Sequence, residues 1–245
     1  MKKEITIEKL DEYLDYLLDG IGAQKEGLSN FQKRQCVFNY LVKTKEYDFE
    51  LLNNMYSYKG RDYDNEILSV LKPSISKGVC NSFSYVYKLL LNKLDIPSVI
   101  TSCNVVQDSV QDFIDEGVNT TNLRKDETGK YKIPHMLILV QNDDGTFSFD
   151  DVTYGIFNKG TEKEQEFFNY DYEIARKNNQ IEFNMYDFKL IQGTTNNYIV
   201  TESDEEIVKK YQKKGEYGYL EIPVDLIKSY NDTIEIENVE MEEIR

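Results

Sequence analysis

The amino-acid sequence reads as an α+β protein, with a run of helices ahead of Leu94 and strands mixed with helices after it. Three observations lead there. Apolar residues recur at helical spacing in Ile7, Leu10, Leu14, Leu17 and Leu18, and again in Phe83, Tyr87, Leu90, Leu91 and Leu94. From Ser98 to Val106 the chain turns β-branched and alternating. Beyond that, Asn142-Asp143-Asp144-Gly145 separates two short apolar runs in the manner of a hairpin turn.

Taken in order, the first helix runs from Ile7 to a stop at Gly20. Ser29-Asn30-Phe31-Gln32 has the form of a capping box and opens a second helix to about Thr44, with Val37, Tyr40 and Leu41 on one face and Cys36 as a small core residue. Phe49 to Tyr58 and Asn65 to Leu71 read as shorter helices, the latter ended by Pro73. The helix beginning at Cys80 carries one apolar stripe and breaks at Asp95-Ile96-Pro97. Cys103 falls in the Ser98–Val106 strand. Gln107 to Lys132 is a long polar insertion, read as a surface excursion in preference to a lid. Pro134 to Val140 is expected to be a short buried strand and Thr146 to Thr153 its returning partner. Glu162 to Asn179 reads as helical, Glu182 to Gln192 as strand-like at its end, Ser203 to Lys214 as a capped helix and Tyr217 to Ile222 as a strand.

Composition narrows function before any motif is read. Of 245 residues, 40% are apolar and 13% aromatic, with no Trp, a globular rather than disordered profile. Against 44 acidic residues stand 29 Lys and Arg, a formal net charge of −15. Such a surface repels phosphate backbones and anionic membranes, so neither nucleic acid nor membrane is an expected partner. No run reaches the length of a membrane span, and Met1-Lys2-Lys3-Glu4 leads into an acidic helix instead of an apolar signal region; a cytoplasmic protein is expected. Three cysteines fit a reducing compartment better than a disulfide framework. A single histidine, His135, excludes multi-histidine metal sites, and no metal or other cofactor is expected.

The chemistry concentrates at Gly78-Val79-Cys80. A cysteine at the first residue of a helix faces the positive end of the helix dipole and several unpaired N–H groups, which favour the thiolate, the nucleophilic form. The alternative is a small buried core cysteine. A thiol nucleophile needs a base, and that base needs an orienting acceptor. His135 is the one available imidazole, and Asp150 and Asp151 stand on the returning strand. A two-residue Asp144-Gly145 loop sets His135 on the face of Asp150. A three-residue loop from Asp143 with Gly145 left-handed shifts the register by one and selects Asp151.

Here the residues resemble the transglutaminase-like superfamily. Its Gly-Val-Cys turn, Leu-Gly-Ile-Pro-like helix break, strand-initial His and Asp-x-Thr-Trp/Tyr are matched by Gly78-Val79-Cys80, Leu94-Asp95-Ile96-Pro97, His135 and Asp151-Val152-Thr153-Tyr154. The helix from Gln32 to Lys43 with Glu46-Tyr47-Asp48, and the stretch Tyr198 to Ile207, also resemble bacterial members. The chain departs from the pattern in Met136-Leu137 after the histidine, in Asp95 where glycine is usual, and in lacking Trp. The resemblance implies a single domain with a papain-like core over about residues 30–155, the Cys80 helix packed on an antiparallel sheet, a helical extension at 1–28 and an elaboration at 156–245. It implies a Cys80, His135, Asp151 triad, attack of the thiolate on an amide carbonyl of a protein or peptide substrate, and a thioester resolved by water or an amine. With no indole available, the Cys80 backbone N–H is one expected oxyanion donor and Tyr47 a candidate for the other. The competing expectation is a module of the same fold that binds a protein partner without turnover.

Overall fold

The computed structural model describes residues 3–5, 7–56, 70–72 and 75–171, with further short strands at 181–183, 187–189, 219–221 and 234–236. The expected helix at 203–214, the run at 198–201 and most of the expected helix at 65–71 lie outside the described residues. The architecture is a layer of helices against a mostly antiparallel arrangement of strands. Among the described residues no helix is long and apolar enough to cross a membrane.

Helix α1 (Ile7–Gly20) ends differently from the sequence reading. Gly20 is its last helical residue, and Gly22, at φ 76°, takes the left-handed position. The Ala23 N–H then reaches back to the Leu18 carbonyl at 2.9 Å, a Schellman closure that draws Ala23 into the same apolar cluster as Leu18. Helix α2 (Asn30–Thr44) starts at the expected capping box, with the Ser29 N–H bonded to Gln32 Oε1 at 3.0 Å and Ser29 Oγ accepting from the Gln32 N–H at 3.3 Å. Helix α3 spans Phe49–Tyr56.

Helix α4 (Cys80–Lys93) is buried on all sides from Asn81 to Leu91, where a single stripe was expected. The cause is its place in the molecule: α1, α2 and the sheet all pack on it. Leu14, Leu17 and Leu18 of α1, Val37, Phe38 and Leu41 of α2, and Ile100, Ile138 and Val140 of the sheet join Phe83, Val86 and Leu90 in one cluster. Of its buried polar groups, the Lys88 ammonium donates to the Ser98 carbonyl and the Tyr87 hydroxyl to Asp150, whereas the buried Asn92 side-chain amide has no hydrogen-bond partner among the described residues. At its end Asp95 adopts φ 55°, the left-handed position usually given to glycine, with Ile96 N–H bonded to the Leu91 carbonyl at 3.0 Å.

The sheet has the order β8 (Tyr170–Asp171), β7 (Phe147–Asp150), β6 (Tyr131–Gln141), β4 (Ser98–Gln107) and β9 (Ile181–Phe183), with β5 (Arg124–Lys125) also on β6. Strand β4 (Ser98–Gln107) and β6 (Tyr131–Gln141) pair antiparallel without interruption from Ser98↔Val140 to Gln107↔Tyr131. Both are longer than expected. Strand β7 (Phe147–Asp150) returns from β6 with Ile138 opposite Asp150. The turn is the three-residue form: Asn142 N–H bonds Thr146 O at 2.8 Å and Gly145 sits at φ 80°. The returning strand stops at Asp150 and not at Thr153. Asp151 turns the chain and caps helix α6 (Val152–Phe157), its Oδ1 accepting from the Tyr154 N–H at 3.1 Å.

Strands β2 (Lys45–Tyr47) and β3 (Ser76–Gly78) form a small parallel pair that the sequence did not announce. The 107–132 excursion holds helix α5 (Gln111–Asp115) and strand β5 (Arg124–Lys125), and is anchored by buried Val110 and Val118. The expected helix over 162–179 is instead a single turn at Glu164–Phe167 followed by β8 (Tyr170–Asp171), as far as 171. Strand segments at Asp187–Lys189 (β10) and Tyr219–Glu221 (β11) fall where strand character was read, Ile181–Phe183 (β9) lies ahead of it, and β1 (Lys3–Ile5) pairs with Ile234–Ile236 (β12).

One buried ionic cluster joins the layers. Arg34 of α2, 1% exposed, contacts the equally buried Asp150 of β7. Its Nη2 bonds Asp150 Oδ1 at 3.1 Å, and Nε lies 2.9 Å from Oδ2 as an ion-pair contact out of line for a hydrogen bond. Tyr87 of α4 donates to Oδ2 at 2.7 Å and the Asn169 N–H to Oδ1 at 2.8 Å. Removing one partner strands a charge in the interior. Asp150→Ala is therefore expected to cost about 3–5 kcal/mol in urea unfolding; a loss below about 1 kcal/mol would contradict this role for the pair.

Candidate active site

The turn that carries Cys80 is held on both sides. Tyr47 lies opposite Gly78 in the parallel β2–β3 pair, and the Asp48 N–H bonds the Gly78 carbonyl at 2.8 Å. Upstream, the carbonyls of Leu71 and Lys72 are taken by the Tyr13 hydroxyl at 2.5 Å and by the buried Lys45 ammonium. Burial pulls the Lys45 pKa down to about 7. Gly78 is required by space: a Cβ there would meet Val70 Cγ2 at 2.5 Å and Phe83 Cε1 at 3.1 Å. Val79, fully buried, is the cap residue, and Cys80 follows as the first helical residue, half-buried. Its backbone N–H is among those with no intrahelical partner.

His135 and Asp151 meet. His135 Nε2 lies 2.7 Å from Asp151 Oδ2, with the two residues 6% and 7% exposed. The two oxygens of Asp151 are divided, one to the imidazole and one to the backbone of Tyr154. Burial by itself pushes the His135 pKa down, but the Asp151 carboxylate, by charge and by hydrogen bond, and a hydrogen bond with Cys80 outweigh it and raise the value to about 10. With Nε2 given to Asp151, Nδ1 is the ring nitrogen left for the thiol.

The other sequence candidates fall elsewhere. Asp150 points away from His135 into the Arg34 cluster. Tyr47 borders the same small cavity as His135, about 20 Å³, which Phe113, Thr153, Tyr154 and Phe157 also line. Its ring packs against Phe157 at 4.8 Å and Phe49 at 4.9 Å between centroids. Cys103 sits opposite His135 in the β4–β6 ladder, and burial, then the charges of Asp151 and Cys80, push its thiol well above the ordinary range. Cys36 is half-buried against the core. Among the described residues no cluster of His, Cys, Asp and Glu is arranged to hold a metal ion.

Four residues here hold places that the sequence reading did not assign to them. Arg34 occupies the apolar face of α2, one turn before Val37 and Phe38 and two before Leu41; a lone cation at that spacing was the available signal. Tyr87, read as plain core, holds Asp150. Tyr154 stands edge-on to the His135 ring, 5.5 Å between centroids, and its hydroxyl accepts from Gln107 Nε2 at 2.5 Å. Nothing in the local pattern marks Gln107.

The unfolded imidazole titrates near 6.5. Because folding raises that value, His135 contributes stability fully present below about pH 6.5 and lost as pH rises through about 10. With one histidine in the chain, its proton NMR signal needs no assignment; the signal is expected to titrate well above pH 8, and a midpoint at 6.5 or lower would contradict the contact with Asp151.

No family model matches the chain, and no curated protein matches it. A solved structure described as a crystal structure of a TGase aligns over 93% of this chain at 20% identity and a TM-score of 0.40. The chain spans about half the length of that protein, 47% of it.

Proposed function

We propose that this chain is a thiol-dependent hydrolase or acyltransferase acting on amides of proteins or peptides, with a transglutaminase-like, papain-like core in a single domain. Cys80 is the nucleophile, His135 the acid and base, and Asp151 the carboxylate that orients the imidazole. The observation that carries this reading is the buried 2.7 Å contact between the chain's single histidine and Asp151, with Cys80 near enough to help raise the imidazole pKa.

The chemistry follows from that arrangement. The Cys80 sulfur, its proton passed to His135, attacks the amide carbonyl carbon. The Cys80 N–H stabilises the oxyanion, and Tyr47, at the edge of the same cavity as His135, is the candidate second donor. His135 then returns the proton to the departing amine as the C–N bond breaks, leaving a thioester on Cys80. The raised pKa suits this half of the cycle, since the imidazolium that must donate persists at neutral pH. Water attacking the thioester completes hydrolysis; an amine attacking it completes transfer. Hydrolysis of peptide or side-chain amides is the favoured outcome.

A glutamine peptide with a labelled primary amine separates the outcomes: ammonia release marks deamidation, label incorporation marks transfer, and a shortened peptide marks proteolysis. Cys80→Ala is expected to lower whichever activity is found by at least about a thousandfold. Full activity in that variant would overturn the proposal.

A further inference from the structure

The 107–132 segment leaves the sheet at Gln107, the last residue of β4, and returns at β6. At its root the Gln107 side chain crosses to α6, donating to the Tyr154 hydroxyl at 2.5 Å. Tyr154 in turn touches both members of the His135–Asp151 pair. Its backbone N–H holds Asp151 Oδ1, and its ring stands at 88° to the imidazole. Burial, then the charges of Asp151 and Cys103, push the phenol pKa up, so the hydroxyl stays neutral and able to accept the amide N–H. Tyr154 is half-buried, and the partner satisfies the enclosed end of its ring.

The same segment reaches the nucleophile side. Val118 packs with Leu52 and with Val79, the residue before Cys80, and the Asn119 N–H bonds Asn53 Oδ1 at 3.1 Å. The excursion therefore touches both halves of the site, the thiol through Val79 and the imidazole through Tyr154.

We propose that Gln107 is a positioning residue: by holding the Tyr154 phenol from the root of the 107–132 segment, it fixes His135 against Asp151. The inference rests on the functional reading above for its importance, but its geometry stands apart from turnover. A plain strut would support the fold without setting how the imidazole is held.

The test uses the full chain with Gln107→Met, which keeps the side-chain volume and removes the amide, Tyr154→Phe, which removes the acceptor, and the two combined. The readouts are the NMR titration of the single histidine and the pH profile of Cys80 alkylation by iodoacetamide. Each single variant is expected to lower the histidine midpoint by about one pH unit, a tenfold change in proton affinity, and to move the alkylation profile with it. The double variant is expected to go no further than either single one. A Gln107→Met protein that titrates as the wild type does, or shifts that add in the double variant, would overturn the proposal. A wild type with no activity on any amide would sink the proposed function and leave these titrations to decide the role of Gln107.

Discussion

The contact between His135 and Asp151 depends on the residue just before that aspartate. Asp150 is fixed in the interior by Arg34 from one helix, Tyr87 from a second and the Asn169 backbone from the chain beyond. Successive residues of an extended chain point to opposite sides, so a pinned Asp150 commits Asp151 to the other direction. The three-residue turn sets the same register from the far end of the hairpin. Two neighbouring carboxylates thus take unrelated work: one closes a buried ionic cluster, the other caps a helix and holds an imidazole. Shifting this register by one residue would exchange them.

The Cys80 side is built on a different principle, close packing. Gly78 admits no Cβ, Val79 has no exposed surface, and the helix behind Cys80 is enclosed all round. An enclosed helix cannot rotate without opening the core, which keeps its first residue in place. The parallel β2–β3 pair and the side chains that capture the carbonyls of Leu71 and Lys72 hold the incoming strand to the same standard. The thiol and the imidazole come from layers that the Arg34 cluster ties together.

Much of this was legible in residue patterns. The capping box at Ser29, the break at Asp95, the strand at Ser98 and the hairpin were readable because each rests on local chemistry. The hairpin reading also reduced the carboxylate question to two neighbours, and loop length, a structural matter, separates them. What could not be read depends on long-range contact. The burial of α4 on every side, the pairing of β2 with β3, and the ties from Arg34 to Asp150 and from Gln107 to Tyr154 join residues far apart in the chain. Past Asp150 the local rule itself changed: alternation suggested continued strand, but an aspartate three residues before a free N–H is also a helix cap, and the cap prevailed.

The central claim is that Cys80 is a nucleophile because His135, held by Asp151, serves it. The most direct measurement is labelling of the intact protein at neutral pH with a peptide-like haloketone, read by mass spectrometry with site mapping. One equivalent on Cys80, none on Cys36 or Cys103, and loss of that labelling in His135→Ala is the predicted result. Labelling spread evenly over the three cysteines, or a Cys80 rate indifferent to His135, would contradict it.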